Sequence, residues 1–549
     1  MIRLAIVLSF LAVLVSSPDS ALTRVIEILP TNADTTCNEE FENLANKLLP
    51  GDTLILRGGI YSQSCRRLIT GRNGTASRPI VITAAPRESP ILTRPGTPAD
   101  YRENNLEIEN SSYLVIRGIK FRGGDLGVRF IGVNHHVTFE DNEIYETSAN
   151  ALALQSGNSD AMIIRRNHIH HTGLYIGGPV TGEGMYLGCH DNSCRITNSL
   201  IAGNYIHHLR STSGGGNDGI EVKMGSYGNV IRDNVIHDVN VGMQYPCIFV
   251  YGGGAAANIV EGNAVWNCGE GIYAVADTVV RNNIVFGSGY GISSYPHAAV
   301  AQMRNLTIVN NTIYGGGTCL FLRWRTVINA VLANNAVYCP GSTAVDGLGL
   351  FNTQVVMSAN YVEGGLNGPT VDSVRFFNGG NANSVFNNPA GANFWPNQGS
   401  ILRDRGDLTR AAAIDFNHST RTDPIDIGAY ETNGLASNPG WKVQSGFKTL
   451  SGQNFKAPAI ALTSPANNSV IRSRSTVRIT AAAEEDVGVA RVEFYVDGAI
   501  KCRDLTAPYS CDWSVPWSKS KHHYRLTARA FDTQGNVDIS PTVTVTAAR

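Results

Sequence analysis

FEDNEI (139–144), IRRNHI (164–169), IAGNYI (201–206), IRDNVI (231–236) and VEGNAV (260–265) are variants of one phrase. An apolar residue, two variable ones, Asn, one more variable residue, then Ile or Val: the order recurs in VRNNIV (280–285), IVNNTI (308–313), LANNAV (332–337) and MSANYV (357–362). The asparagines run from Asn142 to Asn360 at a mean interval of about 27 residues, the range of a solenoid repeat. Individual intervals lie between about 20 and about 37, as in a coil whose loops bulge outward without disturbing the stack.

Each repeat holds a second short segment: ALALQ (151–155), GMYLG (184–188), GIEVK (219–223), CIFVY (247–251), GIYAV (271–275), GISSY (291–295) and CLFLR (319–323). Both segments alternate at period two, the strand signature, and no useful helical period separates them. Short strands with Gly and Asn corners, repeated, predict an all-β right-handed parallel β-helix. Asparagines at one corner can stack as a ladder, each bonding the next coil, so their expected role is structural.

Composition agrees. The 549 residues carry 44 Lys+Arg against 45 Asp+Glu, a net charge of -1, which excludes the basic surplus of a nucleic-acid binder. Charged residues are only 16%, while hydrophobic residues reach 43% and glycines number 57, so a large core with many turns is expected. At the N-terminus, Arg3, the apolar run 4–15 and small residues up to Ala21 read as a signal peptide over 1–21. That run is too short for a spanning helix, which needs about 20 residues. An exported product, secreted or periplasmic, with no membrane attachment after cleavage, is the expectation. Ten cysteines fall in local groups (Cys37 and Cys65, Cys189 and Cys194, Cys247 and Cys268, Cys319 and Cys339, Cys502 and Cys511), which suits an oxidising compartment. Their connectivity is open, and the absence of C-x-x-C spacing argues against zinc.

The region 24–432 resembles the right-handed parallel β-helix proteins of the polysaccharide-lyase type. PGDTLILRGGIY (50–61), and GT (74–75) followed by RPIVI (78–82), are similar to their first coil. NEEFENLANKL (38–48) reads as the amphipathic helix capping the open end of the core, which would otherwise be a bare edge. DIGAYE (426–431) resembles their closing segment. The β-helix with its cap is thus expected over 22–432 and a polar linker over 433–457. A small C-terminal Ig-like β-sandwich follows over 458–549, where RVEFYVDG (491–498) and ARAFD (528–532) resemble bacterial immunoglobulin-like domains. The module implies a spacer or an auxiliary carbohydrate-binding unit.

Stacking the second segments in register yields two outward columns. The first reads Ala153, Tyr186, Glu221, Phe249, Tyr273, Ser293, Phe321; the second reads Gln155, Gly188, Lys223, Tyr251, Val275, Tyr295, Arg323. Aromatic rows suit the apolar faces of sugars, and a solvent-reachable groove is expected, unless the long loops 171–182 and 209–217 cover it. Glu221 and Lys223 share this face. A lyase needs a base for the proton beside a uronate carboxyl and a cation to neutralise that carboxyl. Lys223 is the candidate base, provided desolvation lowers its pKa. Glu221 is placed to orient it or to join Glu183 and Asp218 in holding Ca2+. A plain surface salt bridge with solvated turn acids is the competing reading. Tyr186, Tyr273, Tyr295, Arg323, Arg325, His190 and His297 are candidate substrate contacts. The resembling lyases carry an Arg-His pair on the coil after the Glu-Lys strand. Here that coil reads PCIFVYG (246–252), and Tyr251 is its nearest proton-transfer group. Six histidines, His168, His170, His171, His207, His208 and His237, follow the Asn corners on another face and read mostly as stacked corner residues, with a metal or catalytic role as the alternative.

The expected activity is β-elimination of an acidic, uronate-containing glycan by a monomer. Alternatives are a glycoside hydrolase using Glu183, Asp218 and Glu221, a C5-epimerase, and a surface protein that binds glycan without turning it over.

Overall fold

A computed structural model describes residues 24–548 apart from 31–38, 95–102, 176–179, 212–215, 240–244, 370–371, 373, 439, 449–457, 485–488, 519 and 533–536. The expected leader, Cys37 and residues 439 and 449–457 of the expected linker lie outside the described residues.

Parallel strands wind through the body of the chain. Among the described residues, one sheet has 13 strands in sequence order, from Val25–Ile28 to Val355–Ser358, a second has 21 strands, and the short strands Asn134–His135, Ser159–Asp160 and Ile196–Thr197 form a third. Successive coils pair in register, as in Leu200↔Val230, Ile201↔Ile231 and Ala202↔Arg232. Alternation sends Ile82, Ile116, Ile164, Ile201, Ile231 and Val260 into one continuous core, each at most 1% exposed. The chain is almost entirely β. Its cap helix, Glu40–Ala45, is shorter than the stretch 38–48. Phe41, Ala45 and Leu48 are buried in the same core as Leu54 and Leu56, closing its first coil. Beneath the cap, Arg67 and Glu39 form a buried pair at 2.5 Å.

The asparagine ladder runs unbroken. Asn204 N and Nδ2 both donate to Asn234 Oδ1, at 3.0 and 2.9 Å, and Asn234 repeats this toward Asn263. Each Nδ2 also donates to a carbonyl of an earlier coil, Asn234 to Ile201 O at 3.0 Å. The residue before each ladder asparagine is left-handed, with φ of 56° at Asp141, 63° at Gly203 and 54° at Asn310. That explains the Gly, Asp and Asn bias of this position. A second, shorter ladder, Ser199, Asn229 and Asn258, was not legible in the repeat.

Within the stretch read as a linker, Phe447 and Lys448 are buried, and Phe447 packs in a cluster with Phe416, Tyr430 and Trp395. Ala459–Ser464, Thr476–Glu484 and Tyr509–Ser514 form one sheet of the C-terminal sandwich, opposite a six-stranded sheet that includes Val489–Val496 and His522–Asp532. Ile479, Phe494, Leu526 and Val545 fill its core. Disulfides join Cys189 to Cys194, Cys247 to Cys268, Cys319 to Cys339, and Cys502 to Cys511. Among the described residues, no helix is long and apolar enough to cross a membrane.

Candidate functional site

Four adjacent strands carry the site. Tyr186 pairs in register with Glu221, Glu221 with Phe249, and Phe249 with Tyr273. Their neighbours Leu187, Ile220, Val222, Ile248 and Ile272 are fully buried in the core, so the paired residues point away from it. The two charged residues are nevertheless covered. The Lys223 and Glu221 side chains are 8% and 4% exposed, which corrects the expectation of an open groove at this pair. Alternation decides which face a side chain takes, whereas loops from other coils decide whether that face meets water.

Glu221 Oε1 receives Lys223 Nζ and also the Tyr251 hydroxyl, which donates at 3.1 Å from the next coil. The ammonium stands 4.3 Å from the centre of the Tyr186 ring and 5.1 Å from that of Tyr251, so cation–π attraction adds to the ion pair. Glu183 and Asp218 are buried alongside. Glu183 Oε2, Asp218 Oδ1 and Glu221 Oε2 are all buried without a hydrogen-bond partner. Such oxygens are costly unless a proton or a cation meets them. Burial, reinforced by the Glu221 charge, pushes the Glu183 carboxyl up to about 8, and the same causes hold Asp218 well above the carboxylate range. Burial works against the Lys223 charge, but the Glu221 carboxylate outweighs it and leaves the ammonium above its ordinary value. The depressed lysine expected from desolvation is thus corrected: the partner that positions Lys223 also keeps it protonated. Burial beside Glu221 likewise raises the Tyr251 phenol.

The aromatic row is a stack of rings upon one another. Tyr251 and Phe249 lie 4.0 Å apart, Phe249 and Tyr273 4.4 Å, and Tyr273 and Tyr295 4.2 Å. Tyr251 and Tyr273 are buried, so these rings pack as core, while Tyr186, Tyr295 and His297 stay half-buried. His297 meets Tyr251 edge-on at 4.8 Å, and burial lowers its pKa. Arg323 is tied to Asp346 at 2.9 Å, four register steps from the Glu221 coil. At a coil spacing of about 4.8 Å that is roughly 19 Å. Arg325 is exposed in the turn after Thr312–Arg323, and His190 is exposed in the turn closed by Cys189 and Cys194.

Two features escaped the sequence reading. Glu270, buried and raised by desolvation, accepts from the Ser293 hydroxyl and from Tyr295 OH, the latter at 2.9 Å, and so anchors the end of the row. Its signal was weak, because it opens its strand before the apolar alternation begins. Arg129 pairs in register with Ala153, which pairs with Tyr186, so extending the first column by one strand would have found it. Arg129, Arg66, Glu107, Asp125, Gln155 and Tyr186 line a cavity of about 590 Å³. The Tyr186 ring therefore stands between this cavity and the buried Lys223–Glu221 pair.

Residues 184–337 match the family model described as a right-handed β-helix region, and residues 458–528 match the bacterial Ig domain model. The chain is a right-handed parallel β-helix protein with a C-terminal bacterial Ig-like domain. Similar solved structures include pectate lyase Pel9A, at 13% identity over 74% of this chain and 96% of that one, with a TM-score of 0.46. XylC in complex with xylose is 10% identical over 75% of this chain and 99% of its own, with a TM-score of 0.48. The PL6 family alginate lyase AlyGC is 15% identical over 82% of this chain and 61% of its own, with a TM-score of 0.38. No curated protein matches the chain.

Proposed function

We propose that this chain is an exported, monomeric enzyme that cleaves an acidic, uronate-containing polysaccharide by β-elimination. The observation that carries the reading is one oxygen, Glu221 Oε1, meeting both Lys223 Nζ and the Tyr251 hydroxyl. That contact supplies a closed proton circuit. Lys223 must first pass a proton to Glu221, a step that runs uphill because the ion pair holds the ammonium protonated. Once the Tyr186 ring swings aside and admits the sugar, neutral Lys223 takes its C5 proton, the C4–O bond breaks, and the departing oxygen takes the Tyr251 proton as the C4=C5 double bond forms. Glu221 then returns its proton to Tyr251, and every group regains its starting state. The unpartnered buried oxygens of Glu183, Asp218 and Glu221 are of the donor type that a cation such as Ca2+ takes, and these residues would hold it if their carboxylates drew together. When bound, that ion would supply positive charge beside the substrate carboxylate. Glu221 Oε2 lies outside the proton circuit, so the two roles use different atoms.

One observation favours a second reading. Glu183, held protonated up to about pH 8, has the character of a general acid, as an inverting glycoside hydrolase requires. Products separate the two. The purified protein is incubated with acidic and neutral polysaccharides while unsaturated-uronate absorbance and new reducing ends are followed. Both signals together, lost in Lys223→Ala with an unchanged circular dichroism spectrum, support elimination. Reducing ends alone mean hydrolysis. Binding without either signal means a glycan-binding protein.

A further inference from the structure

The histidines that read as stacked corner residues do stack. Tyr145, His170, His207, His237 and Trp266 form a continuous column with centroid spacings of 5.4, 5.2, 5.3 and 4.4 Å. Stacking accounts for the rings but not for the nitrogens. The parallel strands Glu143–Tyr145 and His168–His170 place Glu143 opposite His168, with His170 two residues further along the same outer face. Glu143 Oε1 faces two imidazoles at once, His170 Nε2 at 3.1 Å and His168 Nδ1 at 3.9 Å. One ligand atom from each of the three lies within 4.8 Å of the other two. In a tetrahedral site with bonds of about 2.1 Å, neighbouring donors stand about 3.4 Å apart, so small side-chain shifts suffice.

The remaining nitrogen of each imidazole is already held. His168 Nε2 is 2.8 Å from His207 Nε2, and His207 Nδ1 is 2.6 Å from His208 Nδ1. His170 Nδ1 is 2.7 Å from His171 Nδ1. With His168 protonated at Nε2 and His170 at Nδ1, both can donate outward, and both inner lone pairs turn toward Glu143. Ligand histidines are oriented in this way by their outer neighbours. Of the neighbouring cations, Arg166 is engaged elsewhere, with Glu140 at 2.9 Å and Asp141 at 2.6 Å, while Lys120 holds the other oxygen of Glu143, Oε2, at 2.6 Å and leaves Oε1 to the imidazoles. A cavity of about 350 Å³, lined by Lys120, Glu143, Arg166, His168 and Tyr205, opens on the cluster.

We infer that Glu143, His168 and His170 form a binding site for a divalent transition metal of the zinc class, clipping two coils together on the face opposite in chemistry to the Glu221 cluster. Two imidazoles and a carboxylate select such ions over Ca2+, which takes oxygen donors. The site is independent of the proposed catalytic reading.

The test uses the full chain without a histidine tag, stripped with chelator and dialysed. Titration with Co2+ should give the intense visible bands of a tetrahedral site, saturating near one equivalent, and Zn2+ should displace them while a large excess of Ca2+ should not. The His168→Ala/His170→Ala double variant should weaken binding at least about 100-fold, and Glu143→Gln offers a milder variant if that protein does not fold. His207→Phe keeps a ring in the stack but removes the outer partner of His168, and should weaken binding about 10-fold. Absence of a saturable Co2+ spectrum, or equal binding by the double variant, overturns the proposal.

Discussion

Tyr251 reaches across one coil step and donates its hydroxyl to Glu221 Oε1 at 3.1 Å, the same oxygen that receives Lys223. Two residues of one strand and one of the next thereby share a single atom, and the proton circuit depends on it. Tyr251→Phe tests the phenol alone. Its ring can keep its 4.0 Å stack on Phe249, so the change in urea stability should be only about 1 kcal/mol. The elimination rate should fall by about 100-fold, the usual share of a proton-transfer group, as read from initial rates of unsaturated-uronate formation.

The Asn234 side chain makes four hydrogen bonds in the ladder, and removing its amide leaves buried partners on both neighbouring coils unsatisfied. Asn234→Ala should cost about 3 kcal/mol in denaturant unfolding. Asn383, exposed on the surface, should be replaceable by Ala within about 0.5 kcal/mol.

Lys448 is buried between Asp233 at 2.8 Å and the rings of Phe416 and Trp441, whose centres lie 3.7 and 4.3 Å away. Burial lowers this lysine to about 8, and Asp233, shared with His418 at 3.0 Å, keeps it charged at neutral pH. Asp233→Ala strands a buried cation and should cost about 3–5 kcal/mol. Adding Lys448→Met to Asp233→Ala should recover much of that loss, since an apolar pair of similar volume tolerates the site. Equilibrium unfolding of the two variants decides it.

Glu431, in the closing DIGAYE segment, is raised by burial to about 7 from an ordinary 4.5. The folded protein therefore keeps a proton that the unfolded chain releases first. Stability contributed here is complete below about pH 4.5 and declines as the pH rises to about 7. The span corresponds to about 3 kcal/mol before any allowance for screening. Melting curves from pH 5 to pH 8 should show this decline, and Glu431→Gln, which carries no titrating proton, should flatten it.

The β-helix was legible because its repeat is local. Nine phrases with an asparagine at one fixed place specify a corner, and the left-handed residue before it explains why Gly, Asp and Asn gather there. The column containing Tyr186, Glu221, Phe249 and Tyr273 was equally legible, since period-two alternation in a parallel stack admits one register that keeps the apolar residues inside. Glu270 and Arg129 were not, because each lies where the alternation starts or where the column had been cut short. The roles within the site were beyond reach for another reason. Whether Glu221 and Lys223 meet water, and whether Lys223 keeps its proton, depends on groups brought in from other coils.

By itself, then, the order of residues determined the coil, its cap, its corner ladder, the separate sandwich and which side chains point outward, since all of these follow from spacing along the backbone. Only the tertiary structure decided that the outward charges are covered, that Glu183, Asp218 and Glu221 each keep a buried carboxylate oxygen without a partner, and that His168 and His170 converge on Glu143. Burial and charge pairing are properties of three-dimensional neighbours, and residues 20 to 40 positions apart become neighbours only when the chain has wound one full turn.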